Sequence, residues 1–426
     1  MAANIRRKLR KAIKAKAPAQ VRGVVEKMRA TFAPPPVDDH VLATYRLVRD
    51  DSERARITLV VPTLATARTY GGILTGIDIF LNIARGLADD RAIDLRVIAT
   101  DANAITDFGV FLKAAEKLGF DPASIQTQAI AQENADIAVR RHDLFVTFNF
   151  WTTLNIEPLL DAQAREFSRP RLPLLYLIQE YEPHLYPFSS AHMLARSAYD
   201  APRRLWGIFN SSNLHDFFRL SGHSVEQSYV FEPVVNSALR PFLSRIATSE
   251  RQQRILVYGR PAVLRNCFPA LQRGLREWAR AYPQYRDWEV VSAGKAHDPF
   301  GLGDGREVRS LGKLSLDAYA EVLLGSSVGV SLMASPHPSY PPLEMAHMGL
   351  RTVTNSYLCK DWTGYHPHIH AVDSLEATSL AEAIAHACEA SQADGPMAEP
   401  NADYVREDEY PFLSALVADI IGALDR

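Results

Sequence analysis

Cysteine is scarce. Cys267, Cys359 and Cys388 are the only three in 426 residues, widely spaced and without a CxxC pair. That count excludes a disulfide framework and a thiolate metal site, and it fits a reducing compartment. Long apolar runs are missing too. Nothing approaches the roughly 18 residues of a membrane-spanning helix, and the basic N-terminus lacks the apolar core of a secretory signal. The expected location is cytoplasmic. No GxGxxG glycine fingerprint and no DxD-type carboxylate pair occurs. Net charge is only −2.

That small charge hides an asymmetry. Residues 1–29 hold ten of the 47 Lys and Arg and a single acid, Glu26, leaving 37 bases against 48 acids for the rest. Such a body is a poor partner for nucleic acid, whose phosphates need a basic face. In the arm, Ile5, Leu9 and Ile13 recur every four residues, and Val21, Val25 and Met28 extend the apolar stripe. The bases lie largely off it, the pattern of a helix resting on anionic lipid. A basic tail without a target is the competing reading. Pro34-Pro35-Pro36 then ends any helix and forms a stiff spacer.

Beyond the spacer, short apolar runs alternate with helical patterns. Runs at 57–61, 95–100, 144–148, 174–178 and 205–209 read as strands, with helices over 73–87 and from Ser211 or Ser212 to Gly222. The pattern restarts after Pro233 and Pro241. Strands are expected at 255–258, 288–292, 328–333 and 352–354, and helices at 268–282, 343–348, 380–390 and 412–424. Continuous apolar strands between helices make parallel sheets covered on both faces. The expectation is an α/β protein of two βα arrays: 1–36 as arm and linker, 37–238, 239–400, and 401–426 as a closing helix packing back towards the first array.

Ligands of open parallel sheets sit beyond the carboxyl ends of the strands. In the second array those ends carry Gly259-Arg260 with Arg265, Gly312-Lys313, and the loop Ser335–Pro342 with Ser339 and Tyr340, which leads into Glu344. Cations and helix N-terminal N–H groups gathered there suit a nucleotide diphosphate. Glu344 either compensates a helix dipole or accepts a hydrogen bond from the nucleotide's sugar. In the first array, Gly71-Gly72 would permit close backbone approach at a helix start, and Glu180 follows strand 174–178 as a candidate base or hydroxyl-orienting group. His366, His368 and His370 alternate as metal ligands could, but Pro367 interrupts them. No metal is expected.

The strings Leu177–Pro183, Tyr186–Ser190, Val257–Pro261, Leu311–Leu314 and above all Val330–Ala346 resemble the WsaF-like rhamnosyltransferases of bacterial S-layer glycan assembly. The resemblance covers residues 55–375. It implies glycosyltransferase family 4, hence a retaining enzyme, and GT-B architecture: two Rossmann-like domains facing each other across a cleft. It also implies dTDP-L-rhamnose as donor and a growing glycan or lipid-linked glycan as acceptor. Glu180 takes the position of the family's proposed catalytic Asp, and Arg260, Lys313 and Glu344 fall on donor-binding positions. Two departures stand out. Glu180 is one methylene longer than Asp, and the Glu that family 4 carries eight residues before Glu344 is here Pro336. Another nucleotide sugar, or a non-catalytic GT-B module that binds glycan or scaffolds an assembly, are the alternatives.

Overall fold

A computed structural model describes residues 42–64, 71–100, 107–130, 134–200, 204–362, 364–393 and 400–426. The basic arm, the proline spacer and Tyr70 lie outside the described residues.

In chain order the first half contributes strands β1 (Arg46–Arg49), β2 (Ala55–Val61), β3 (Ile93–Ala99), β4 (Gln126–Ala129), β5 (Asp136–Val139), β6 (Asp143–Thr147), β7 (Leu174–Ile178), β8 (Leu205–Phe209) and β9 (Gln227–Val230). Its helices are α1 (Gly71–Ala88), α2 (Gly109–Lys117), α3 (Phe150–Glu166), α4 (Ser190–Asp200) and α5 (Ser212–Leu220). Seven strands form one parallel sheet in the order β4-β3-β2-β6-β7-β8-β9, while β1 and β5 pair separately. β2, β6, β7 and β8 are buried along their whole length, as strands with helices on both faces must be.

The second half adds β10 (Gln252–Gly259), β11 (Glu289–Gly294), β12 (Phe300–Gly301), β13 (Glu307–Gly312), β14 (Ser326–Val330), β15 (Arg351–Asn355) and β16 (Ile369–Val372). Its helices are α6 (Phe268–Ala281), α7 (Leu316–Leu324), α8 (Tyr340–His347), α9 (Ala377–Ala393) and α10 (Leu413–Leu424). The second sheet runs β12-β13-β11-β10-β14-β15-β16, parallel apart from β12 at the edge. In each sheet the winding reverses beside the first long strand, between β2 and β6 and between β10 and β14. Those switch points open the crevices in which ligands of such sheets bind.

Helix α10 belongs to the first sheet. Leu416, Ile420, Ala423 and Leu424 are buried in one core with Ile57, Phe80 and Val97. Gly86 of α1 leaves room for this contact, since a Cβ there would lie 2.8 Å from Val417. Leu416→Ala should therefore destabilise the chain by about 2–5 kcal/mol, read as a lower urea midpoint.

Several expected boundaries moved. β14 ends at Val330 rather than 333, and α8 begins at Tyr340 with Pro341 and Pro342 in its first turn. Proline is welcome there, because the first N–H groups of a helix have no partner inside it. α3 escaped the periodicity because it buries Thr152, Thr153, Asn155 and Gln163 beside its apolar residues. The histidines do not share a face: His366 and His368 are buried, whereas His370 is exposed beside the His386 ring. At the amino ends of β2 and β6, buried Arg56 and Asp143 meet at 2.6 Å, so charge there is consumed by the fold.

Candidate active site

The loop after β7 is held from three sides. Gln179 Nε2 donates to the Gly72 carbonyl at 2.9 Å, which ties the loop to the first turn of α1. The Tyr199 hydroxyl of α4 accepts from the Glu182 N–H at 3.0 Å and donates to the Glu180 carbonyl at 3.2 Å. Glu182 points inward: its carboxyl accepts from the Phe150 N–H at the start of α3 (3.0 Å) and from the Tyr176 hydroxyl. Burial pushes Glu182 up to about 7, and the Tyr176 and Phe150 donors only partly offset it. Glu180, the first acid after the strand, was the candidate in the sequence, and Glu182 two residues on is a structural carboxylate.

Its protonation has a checkable consequence. Between pH 4.5 and 7 the folded chain keeps the Glu182 proton that the unfolded chain loses, so stability falls as pH rises through that window. Glu182→Gln should abolish this loss. Relative to wild type the variant gains up to about 3 kcal/mol between pH 5 and pH 8, measured by urea unfolding at the two pH values.

Glu180 points the other way, into the second domain. Its carboxylate accepts from the Ser335 hydroxyl and from the Tyr181 N–H (3.1 Å), and Arg265 Nε lies 3.5 Å from its other oxygen. Only 14% of the side chain is exposed. Burial raises its pKa, while Arg265, Ser335, the Tyr181 N–H and Lys360 pull it down. A carboxylate from β7 thus meets groups that follow β10 and β14.

On the second sheet the carboxyl ends of three neighbouring strands finish in glycine. Gly259 pairs with Gly294, and Ala293 with Gly312. A Cβ on Gly259 would fall 2.0 Å from the Ser292 hydroxyl, and Gly294 adopts φ 135°, which only glycine takes readily. Ser292 and Ser310 are joined through His297, its Nε2 to Ser292 Oγ (2.8 Å) and its N–H to Ser310 Oγ (3.3 Å). Protein atoms thus fill the Cβ positions of Gly259 and Gly294 in this strip, whereas Gly312 has nothing nearer than Ala296 at 3.7 Å. Arg260 follows this strip half-buried, and its guanidinium has no hydrogen-bond or ion-pair partner among the described residues. Lys313 is exposed one residue beyond Gly312.

The loop 331–339 is braced over most of its length. Met333 N–H donates to Asn355 Oδ1 at 2.7 Å, the Ala334 N–H to the Arg265 carbonyl at 2.7 Å, and the His337 N–H to Ser335 Oγ at 3.0 Å. His337 Nδ1 accepts from the Ser339 N–H. His337 is buried and pushed down to about 3 by burial, Lys360 and Arg265, so it is a neutral acceptor. Ser339 has φ 70° and turns the chain into α8. Tyr340 is pushed up to about 12 by burial, with Asn210 beside its hydroxyl. Burial also pushes Glu344 up to about 7, with the Tyr319 hydroxyl nearby.

Residues 56–212 match the model of the WsaF N-terminal domain, and residues 253–385 that of the WsaF C-terminal domain. The chain belongs to the WsaF family. The O-antigen biosynthesis protein RfbC of Myxococcus xanthus is 32% identical over 203 residues, which span 46% of this chain and 15% of that protein. Sucrose-phosphate synthase of Thermosynechococcus elongatus superposes with a TM-score of 0.50 at 12% identity, over 88% of this chain and 98% of its own. WaaG, a glycosyltransferase involved in lipopolysaccharide biosynthesis, gives 0.48 at 12% identity, over 86% and 100%. The two parallel-sheet domains of this WsaF-family chain form the GT-B fold.

Within that fold Glu180, Arg265, Ser339, Tyr340 and Glu344 gather around one loop, Gly71 and Gly72 border the Glu180 loop, and Gly259, Arg260 and Lys313 line the glycine strip. Sequence reasoning missed Lys360, His337 and Asn355. Among the described residues of this WsaF-family chain, no helix is long and apolar enough to cross a membrane. Nor does any group of three His, Cys, Asp or Glu side chains there suit a metal ion.

Proposed function

We propose that the chain is a glycosyltransferase of surface-polysaccharide or O-antigen assembly, moving L-rhamnose from dTDP-L-rhamnose to a growing or lipid-linked glycan. The observation that carries this reading is the meeting of Glu180 with Arg265 and Ser335 at the carboxyl edges of both sheets. Transfer breaks the bond between the sugar's anomeric carbon and the diphosphate oxygen, which leaves with the electron pair. An acceptor hydroxyl forms the new bond and loses its proton. Arg260, Lys313 and the backbone of the glycine strip would stabilise the charge growing on the diphosphate, with Arg265 adding to the local positive potential. Glu180 would orient the acceptor hydroxyl and take its proton. Glu344 and the Ser339-Tyr340 turn would hold the donor's sugar moieties, in place of the Glu that family 4 carries where this chain has Pro336. The similarity to RfbC, an O-antigen biosynthesis protein, supports the pathway class.

The test offers purified protein dTDP-rhamnose beside UDP- and GDP-sugars and follows nucleotide release and product. Preference for the thymidine donor is expected. Equal handling of all three would sink the donor assignment, and tight donor binding with no transfer to any glycan would make the chain a binding module. The anomeric proton coupling of the product reads retention or inversion directly. Lys313→Ala should raise the donor Kd about tenfold or more, the worth of one charge-assisted contact, by titration calorimetry. For the basic arm, the reading as a lipid contact requires flotation with anionic liposomes that disappears when residues 1–32 are removed.

A further inference from the structure

The turn after β15 has its polarity reversed. Tyr357 and Lys360 exchange backbone hydrogen bonds at 3.1 and 2.9 Å around Leu358, whose φ is 52°. Leu358 is 72% exposed, whereas Lys360, two residues on, is 0% exposed. Burying an ammonium while displaying a leucine costs stability on both counts, so the arrangement needs a reason outside folding. Lys360 Nζ donates to the Met333 carbonyl at 2.7 Å, and this is one acceptor for three N–H groups. The same turn reaches across the cleft: Tyr357 Oη lies 3.3 Å from His184 Nδ1, and Asn213 Nδ2 donates to the Cys359 carbonyl at 3.2 Å.

Lys360 therefore grips the loop two residues before Ser335, the residue whose hydroxyl bonds Glu180. Its ammonium and the Glu180 carboxylate also act on each other electrostatically. We infer that Lys360 is a positioning residue of the site, fixing the 333–337 loop against Glu180. This rests on the transferase reading given above. Arg265, 3.5 Å from the carboxylate, is its near cation, and Lys360 adds a weaker pull from the Met333 end of the loop. Around Glu180 the other groups are Ser335 and neutral His337 from the β14 loop, Glu182 and Tyr181 from its own loop, Tyr199 from α4, and Tyr357. Beside Lys360 lie the Cys267 and Cys359 thiols, both pushed up by burial and so uncharged at neutral pH. Burial pushes Lys360 itself down to about 8, against the pull of Glu180.

The experiment compares wild type, Lys360→Met and Lys360→Arg in the full chain, measuring transfer rate from pH 5 to 9.5 together with the donor KM. Removing a cation raises a neighbouring carboxyl's pKa. Lys360→Met should therefore move the acidic limb of kcat upward, with KM for the donor within about twofold of wild type. Lys360→Arg, which keeps the cation, should leave the acidic limb where wild type has it. An unshifted acidic limb in Lys360→Met overturns the inference. So does a change confined to KM. Should Lys360→Met fail to fold, Lys360→Gln takes its place, and an unshifted acidic limb in that variant overturns the inference instead. If wild type transfers no sugar, the transferase reading fails by itself. The Glu180 carboxyl titration, followed by carbon NMR in wild type and Lys360→Met, then decides on Lys360 without turnover, and identical titrations reject it.

Discussion

Glu180→Gln is expected to lower the rate of sugar transfer by about 10²–10⁴-fold, the usual worth of a positioned base, while the donor Kd stays within a few-fold of wild type. The two parts of the expectation have different physical origins. Gln keeps an oxygen to accept from the Ser335 hydroxyl and the Tyr181 N–H, so the loop has no reason to move. What is lost is the negative charge facing Arg265 at 3.5 Å and the ability to take a proton. Steady-state rates with donor titration calorimetry separate the two. A variant that transfers at more than about a tenth of the wild-type rate would remove Glu180 from the proton-accepting role. The pH profile adds an independent reading. Burial raises the Glu180 pKa, so wild-type kcat should fall as pH drops through that raised value, and the fall should vanish in Glu180→Gln.

The second large effect belongs to Arg260. Arg260→Ala should cost about 10²–10³-fold in kcat, comparable to removing one preorganised donor from a developing negative charge. Stability should change by no more than about 0.5 kcal/mol. The contrast follows from where the guanidinium stands. It closes the strand at the topological switch of the second sheet, beside the Gly259–Gly294 strip, and the described residues give it no hydrogen-bond or ion-pair partner. An arginine that braced the fold would resemble Arg56, which is fully engaged with Asp143, Gln126 and the Ala138 carbonyl. Arg260→Lys should recover only part of the rate, because an ammonium cannot match the two-pronged geometry with which a guanidinium meets phosphate. Rate loss accompanied by equal loss of urea stability would mark Arg260 as structural and overturn the assignment.

Much of the architecture was legible before any coordinates. Buried parallel strands announce themselves as unbroken apolar runs, and β2, β6, β7 and β8 all lie within two residues of where such runs predict them. Ser211 does cap α5, accepting from the Leu214 N–H at 3.2 Å. Weak, polar or mixed elements were not legible. β9 offers only Gln227-Ser228-Tyr229-Val230, and α3 is buried through polar groups that its own capping box and neighbouring carbonyls satisfy.

The sequence by itself determined the two βα arrays, the family resemblance and the residue types at each strand end, because these are properties of contiguous segments. Only tertiary structure decided which of those residues share a site. Glu180 and Ser335 are separated by 155 positions in the chain, and no local pattern encodes their contact. Glu180 and Glu182 stand two residues apart in one loop, yet one faces the second domain and the other is sealed against α3, because Tyr199 fixes the backbone between them and Tyr176 holds the Glu182 carboxyl. No sequence pattern marks Lys360, and the turn at Leu358 is what carries it inside. Burial is a property of the whole assembly, and burial is what gives these charges their chemistry.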